Sequence, residues 1–328
     1  MAPFFKDTAP SGTHLVLSQL GRQFGAPPFS ILDSRIKWWM ERKRVWRSLG
    51  IRGETGRATK EGRGKFLEYD LMRQKTYSKA KQGGPVKHRT HHREQYDLDG
   101  YSTSVFDPVL AELMCRWFCP SGGVVLDPFA GESTKGLVAS SLGYQYLGVE
   151  LRQEQIDVNR QQAERLGLNP VWVCGDSMNI RKLVPHGLMA DLIFTSPPYY
   201  DLEVYSSAES DGSTKQTYEE FLDWYTRIFR RSVALLREDR FVVVKVGEIR
   251  DKATGIYRNF VGDNIHLFTN MGLHYYNEMI LITAVGSMPV RVGRWFRAMR
   301  KVGKIHQNVL CFFKGDPKHI KEVFRGAV

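Results

Sequence analysis

The residues best placed to do chemistry stand at positions 195–199, where Thr195-Ser196-Pro197-Pro198-Tyr199 closes the run Asp191-Leu192-Ile193-Phe194. Two consecutive prolines fix two φ angles and remove two backbone donors, so the carbonyls beside them stand as pure acceptors. A hydroxyl precedes them and an aromatic ring follows. That set suits a planar ring bearing an NH2 group, with acceptors for two N–H bonds and a face to stack on. A nucleobase with an exocyclic amine is such a ring. In isolation the pentapeptide is equally an ordinary proline-terminated strand end.

A second group of residues lies upstream. Val124 to Gly136 reads as a strand, a tight glycine turn and a helix start, with Asp127-Pro128-Phe129-Ala130-Gly131 at the turn. Glu150 ends the next strand 23 residues after Asp127, and Asp176 follows the third. This is the geometry of a nucleoside cofactor: loop amides near its polar end, one carboxylate on the ribose hydroxyls and another at the adenine amine. Each acid alone is also a plain turn or helix cap; three at successive strand ends carry more weight.

Together, Asp127-Pro128-Phe129-Ala130-Gly131, Gly148-Val149-Glu150-Leu151, Gly175-Asp176-Ser177 and Thr195-Ser196-Pro197-Pro198-Tyr199 resemble the DNA amino-methyltransferases, the N4-cytosine and N6-adenine enzymes that use S-adenosylmethionine. The resemblance covers roughly residues 102–315. It implies an α/β, Rossmann-like methyltransferase fold with a mostly parallel seven-stranded sheet, and S-adenosylmethionine as cofactor. Ser102 to Leu110 resembles the family's methionine-end motif, so Ser104 and Phe106 are expected there. Asp127 to Gly131 then form the cofactor loop, Glu150 with Leu151 holds the ribose, and Asp176 with Ser177 reads the adenine. The resemblance also implies that the Ser196 hydroxyl and the Pro197 carbonyl accept the two hydrogens of the target amine. Thr195 and Pro198 complete that corner and Tyr199 stacks on an extruded base. The pattern departs at Ser133, where the family usually has a second glycine; a side chain there is expected to crowd the methionine end or reshape the loop. Serine before Pro-Pro-Tyr is more typical of cytosine N4 enzymes, and Asp or Asn of adenine N6 enzymes. Adenine N6, an RNA base, and a non-catalytic DNA-binding protein stay open as alternatives.

The elements that position these residues follow from apolar periodicity. Strands are expected at Val124–Asp127, Tyr146–Glu150, Val171–Cys174, Asp191–Thr195, Phe241–Val246, His274–Ala284 and Asn308–Lys314. Helices are expected at Thr134–Leu142, Gln153–Leu166, Tyr218–Leu236 and Asn259–Met271. Such alternation means a parallel sheet covered on both faces, with ligands at the carboxyl ends of its strands. The last two strands suit an antiparallel pair at the sheet edge.

Of 328 residues, 47 are Lys or Arg and 35 Asp or Glu, a net charge of +12. Between Arg35 and Arg93, 18 basic residues face 5 acids, so this stretch holds the whole excess. The expected organisation is a basic N-terminal extension over 1–100 and a methyltransferase domain over 101–328. Residues 30–49 read as a basic amphipathic helix capped by Asp33 or Ser34, with Arg42, Lys43, Arg44 and Arg47 as contacts to double-stranded DNA. Arg291, Arg294, Arg297 and Arg300 are a second phosphate-contact set, since no acid occurs between Glu278 and Asp316. No apolar run is long enough to span a membrane. Cys115, Cys119, Cys174 and Cys311 read as reduced thiols on apolar elements of a cytoplasmic protein. His88, His91 and His92 lack partners at metal-ligand spacing, so no metal is expected.

Overall fold

Short apolar runs bounded by glycine or acid become strands, and the longer 3.6-periodic runs become helices laid against them. The computed structural model describes residues 19–51, 106–200, 215, 217–286 and 288–325. In chain order these form α1 (Gln19–Phe24), β1 (Ile31–Asp33), α2 (Lys37–Ser48), α3 (Pro108–Phe118), β2 (Val124–Asp127), α4 (Thr134–Ser141) and β3 (Gln145–Glu150). There follow α5 (Gln153–Arg165), β4 (Val171–Cys174), α6 (Ile180–Leu183), β5 (Ala190–Thr195), α7 (Tyr218–Val233) and β6 (Leu236–Val246). The described chain ends with α8 (Phe260–Asn270), β7 (His274–Ile282), α9 (Met288–Met299), β8 (His306–Lys314) and α10 (Ile320–Val323).

One sheet holds all the strands in the order β1-β7-β8-β6-β5-β2-β3-β4. Only β8 is antiparallel to its neighbours β6 and β7; every other pairing is parallel. Two details differ from expectation. An eighth strand, β1, pairs with β7 through Ile31–Ile280 and Ile282–Asp33. The antiparallel strands therefore lie inside the sheet rather than at its edge. From β2 the chain proceeds through β3 and β4 to one edge, then returns with β5 and β6 toward the other. The reversal between β2 and β5 opens a crevice at the carboxyl ends of the strands, where such sheets bind ligands.

Pleating splits the core into two. Val125, Leu192, Phe194, Phe241 and Val243 pack with α3 on one face. Leu126, Ile193, Val242, Val244 and Val246 pack with α7 and α8 on the other. Thr217 caps α7 through a reciprocal pair with Glu220, and Asp107 caps α3 with Pro108 in its first turn.

The basic extension expected over 1–100 divides. Residues 52–100 lie outside the described residues, but α2 is built into the main body. Trp39 and Trp46 are 1% and 0% exposed, and burying each indole contributes about 4–6 kcal/mol before entropy. Their Nε1–H groups donate to Asp107 Oδ1 (3.1 Å) and Glu112 Oε2 (2.7 Å) on and before α3. The expected Asp33 or Ser34 cap is replaced by Ile36, with no side-chain cap; Asp33 instead receives the Arg35 amide and guanidinium. Cys115, Cys119 and Cys311 are buried, whereas Cys174, expected on a core element, is exposed because it ends the edge strand β4.

Candidate active site

Two neighbouring strand ends are tied together beneath the crevice. Thr195, at the end of β5 and fully buried, donates from Oγ1 to Asp127 Oδ1 at 2.6 Å. Asp127, at the end of β2 and also fully buried, receives the Phe129 N–H (3.1 Å) and the Tyr146 hydroxyl (2.9 Å), and pairs with Lys135 Nζ at 2.7 Å. Four donors occupy its two oxygens. Asp127 and Thr195 thus hold the wall from behind, and neither lines the cleft. The loop they brace does line it, through Pro128, Phe129, Ala130 and Gly131. Ser177 fastens that loop by donating to the Pro128 carbonyl.

The missing second glycine has a structural explanation. Gly131 needs its freedom, with φ at +60°, but Ser133 has φ −71°, which any residue adopts. Ser133 is fully buried, its Oγ has no hydrogen-bond partner among the described residues, and it does not line the cleft. The expected crowding is therefore absent. Glu132, 3% exposed, takes over the loop's polar duties. Its carboxylate accepts the Thr134 N–H and hydroxyl at 2.7 Å each, capping α4, and the Phe106 N–H at 3.0 Å.

The cleft has a distinct polarity. Glu150 accepts the Gly131 N–H (3.0 Å) and the Arg152 N–H (3.1 Å), and Asp176 accepts the Met178 N–H (2.8 Å); both acids and Leu151 line one end. Phe106, Lys135 and Lys245 line another part, with Ser196, Pro197, Pro198 and Tyr199 on the wall. Tyr199 is fixed by the Gln307 amide, which donates to its hydroxyl at 3.3 Å, and by an edge contact with Phe260. Phe129 and Trp224 add aromatic surface. The space amounts to about 1060 Å³ with its open mouth included. It admits a nucleoside cofactor beside a planar ring. Two carboxylates, Glu150 and Asp176, and a glycine-turn loop at the strand ends fit a nucleoside cofactor such as S-adenosylmethionine.

Of the expected residues, only Ser104 lies outside the described ones. Those missed include Glu132, Lys135, Arg152, Trp224, Ile228, Lys245 and Gln307. The clearest available signal was Lys245, a charge interrupting the apolar run of β6.

The two basic sets are placed differently. Arg42 makes a two-pronged ion pair with Glu112, and Lys43 meets Asp107 at 3.3 Å. Both expected phosphate contacts are thus turned inward, while Arg44 and Arg47 are exposed. On α9, Arg291, Arg294 and Arg297 are exposed, as is Arg300 just beyond it. This helix leads into β8, whose Gln307 lines the cleft, so it sits on the cleft's edge of the sheet. Burial pushes the Cys115 thiol up to about 12 and raises Cys119 further, with Glu112 and Cys115 respectively adding to the effect. Neither is a thiolate nucleophile at neutral pH. Among the described residues, no helix is long and apolar enough to cross a membrane.

The chain is similar to known methyltransferases. Over 47 residues the chain is 47% identical to the type II methyltransferase M.HinfI of Haemophilus influenzae, a match spanning 14% of this chain and 13% of that protein. Among solved structures, TrmN from Thermus thermophilus is 18% identical with a TM-score of 0.43, over 64% of this chain and 49% of that one. A methyltransferase from Pyrococcus furiosus is 17% identical with a TM-score of 0.43, over 76% and 98% respectively. A family model described as DNA methylase matches residues 33–161 and 190–325, which include α2, the loop at Asp127 and the proline corner. By that match over most of its length, the chain belongs to the S-adenosylmethionine-dependent N6/N4 DNA methylase family.

Proposed function

We propose that this protein transfers a methyl group to the exocyclic amine of a base flipped out of double-stranded DNA, with cytosine N4 as the target atom. The observation that carries the reading is the sharing of one cleft by the Ser196–Tyr199 corner and the Glu150–Asp176 acid pair. S-adenosylmethionine, when bound, supplies an electrophilic methyl carbon on a positively charged sulfur. The amine of a base is a poor nucleophile because its lone pair is delocalised into the ring. Ser196 and the Pro197 carbonyl accept its two hydrogens, which localises the lone pair on nitrogen. Tyr199 stacks on the base, worth about 1–3 kcal/mol, and so offsets much of the few kcal/mol that flipping requires. Catalysis is then mostly positioning for an in-line displacement. The surplus proton leaves to water, since a serine hydroxyl is no base at neutral pH. Ser196 in place of Asp or Asn before Pro-Pro-Tyr supports cytosine over adenine, and α9 supplies phosphate contacts at the rim.

Mass spectrometry of nucleosides from duplex DNA incubated with enzyme and labelled cofactor tests this directly. N4-methylcytosine is expected; N6-methyladenine moves the reading to adenine, and label on neither amine overturns it. Ser196→Ala and Tyr199→Ala should each cut turnover about tenfold or more while cofactor affinity holds.

A further inference from the structure

We infer that Ile256, on the loop between β6 and α8, is the wedge that fills the gap left in the duplex when the target base is extruded. The inference rests on the base-flipping reading of the Ser196–Tyr199 corner. Extruding a base leaves two neighbouring pairs with nothing between them, and proteins that open base steps insert an apolar side chain there. In the free protein such a side chain stands in solvent, on a braced backbone, close to the pocket that takes the base.

The loop at 247–259 has all three properties. Both of its ends lie against the corner: a Cβ on Gly247 would stand 3.4 Å from the Tyr199 hydroxyl, and the Arg258 guanidinium lies 5.2 Å from the Tyr200 ring centroid. Between those ends the chain closes on itself. Arg250 and Tyr257 form an antiparallel bridge, and the Asp251 N–H donates to the Ile256 carbonyl at 2.9 Å. The Asp251 carboxylate accepts the Ala253 and Thr254 N–H groups and pairs with Arg258, so this acid is turned into the loop. Tyr257 is covered by the Arg250 guanidinium, 3.7 Å from its ring centroid. Ile256 is left 69% exposed. Lys301, just after α9, packs so closely on Gly255 that a side chain there would run into it. The isoleucine therefore stands between the base corner and the arginines of α9. A duplex held there by its phosphates and opened at one base would meet an apolar side chain ringed by positive charge.

Methyl transfer by the full chain to two synthetic duplexes tests the wedge. Both carry a site mapped with the wild-type protein. In one the target base is paired; in the other it stands opposite an abasic residue. Extrusion from the second leaves neither strand with a base at that level, so the flanking pairs can close and no wedge is needed. Ile256→Ala is expected to lower kcat/KM on the paired duplex about tenfold or more, as lost burial of one isoleucine side chain predicts, and to stay within about twofold of wild type on the abasic one. Ile256→Met should recover most of the loss. Equal loss on both duplexes, or no loss on the paired one, overturns the wedge while leaving the base-flipping reading intact. Wild-type protein that methylates no amine of duplex DNA overturns that reading and the wedge with it. Thermal melting checks each variant, and Ile256→Ser replaces Ile256→Ala should the latter not fold.

Discussion

Helix α2 turns Arg42 and Lys43 onto acids of its own chain, whereas α9, with equally many arginines, has no buried residue. The difference comes from their neighbours rather than their charge. Trp39 and Trp46 stand two turns apart and give α2 an apolar seam, and α3 offers Glu112, 2% exposed, and Asp107 to meet its cations. Helix α9 has Trp295 and Phe296 too, but Arg291 and Arg300 lie over those rings. Val290 and Met299 are 79% and 65% exposed. A run of positive charge thus identifies a polyanion site only where the chain supplies no acid for it.

The largest expected effect falls on α2. Trp46→Ala should lower unfolding free energy by about 3–5 kcal/mol, measured by urea denaturation. A loss well under 1 kcal/mol would mean that α2 is not integral to the body. The next largest falls on α9. Replacing Arg291, Arg294 and Arg297 together by glutamine should flatten the slope of log affinity for duplex DNA against log salt by about 2.7, at about 0.9 per phosphate contact. At about 0.15 M salt that is roughly a hundredfold in affinity. An unchanged slope would remove α9 from the DNA seat. Arg42→Met should show the opposite signature, about 1–3 kcal/mol of stability lost with the salt slope preserved. A flattened slope in that variant would erase the contrast between the helices.

Much of this was legible in the sequence, for identifiable reasons. Strands such as Val171–Cys174 and helices such as Gln153–Arg165 announce themselves by local periodicity, and the proline corner by residue type. The docking of α2 was not legible, because it depends on Glu112, 66 positions from Trp46. Strand β1 escaped notice because three residues carry no period. In the site, residue types marked the loop and the acids, but not how their hydrogen bonds are shared. Asp127 reads as a ligand contact until its oxygens are found occupied by Thr195, Tyr146, Phe129 and Lys135. Ser133 reads as an obstruction until its ordinary φ is seen.

The smallest expected effect concerns how α9 is held rather than what it touches. His306 opens β8 where the chain returns from α9, paired with Ile282 at the exit of β7. Burial holds its imidazole below the usual 6.5, the Lys304 ammonium adds to the effect, and Glu278 opposes it. Because the folded value is depressed, the unfolded chain takes up the proton first as pH falls. Stability from this residue is therefore complete above about 6.5, declines as pH drops through that value, and levels off below the native one. Helix α2 contains no histidine. Hydrogen exchange, corrected for intrinsic rates, should thus show 288–299 losing more protection than 37–48 between about pH 7 and about pH 5. His306→Asn should abolish the excess. An identical pH response in that variant would assign the acid sensitivity to other groups and leave the two helices alike in their attachment.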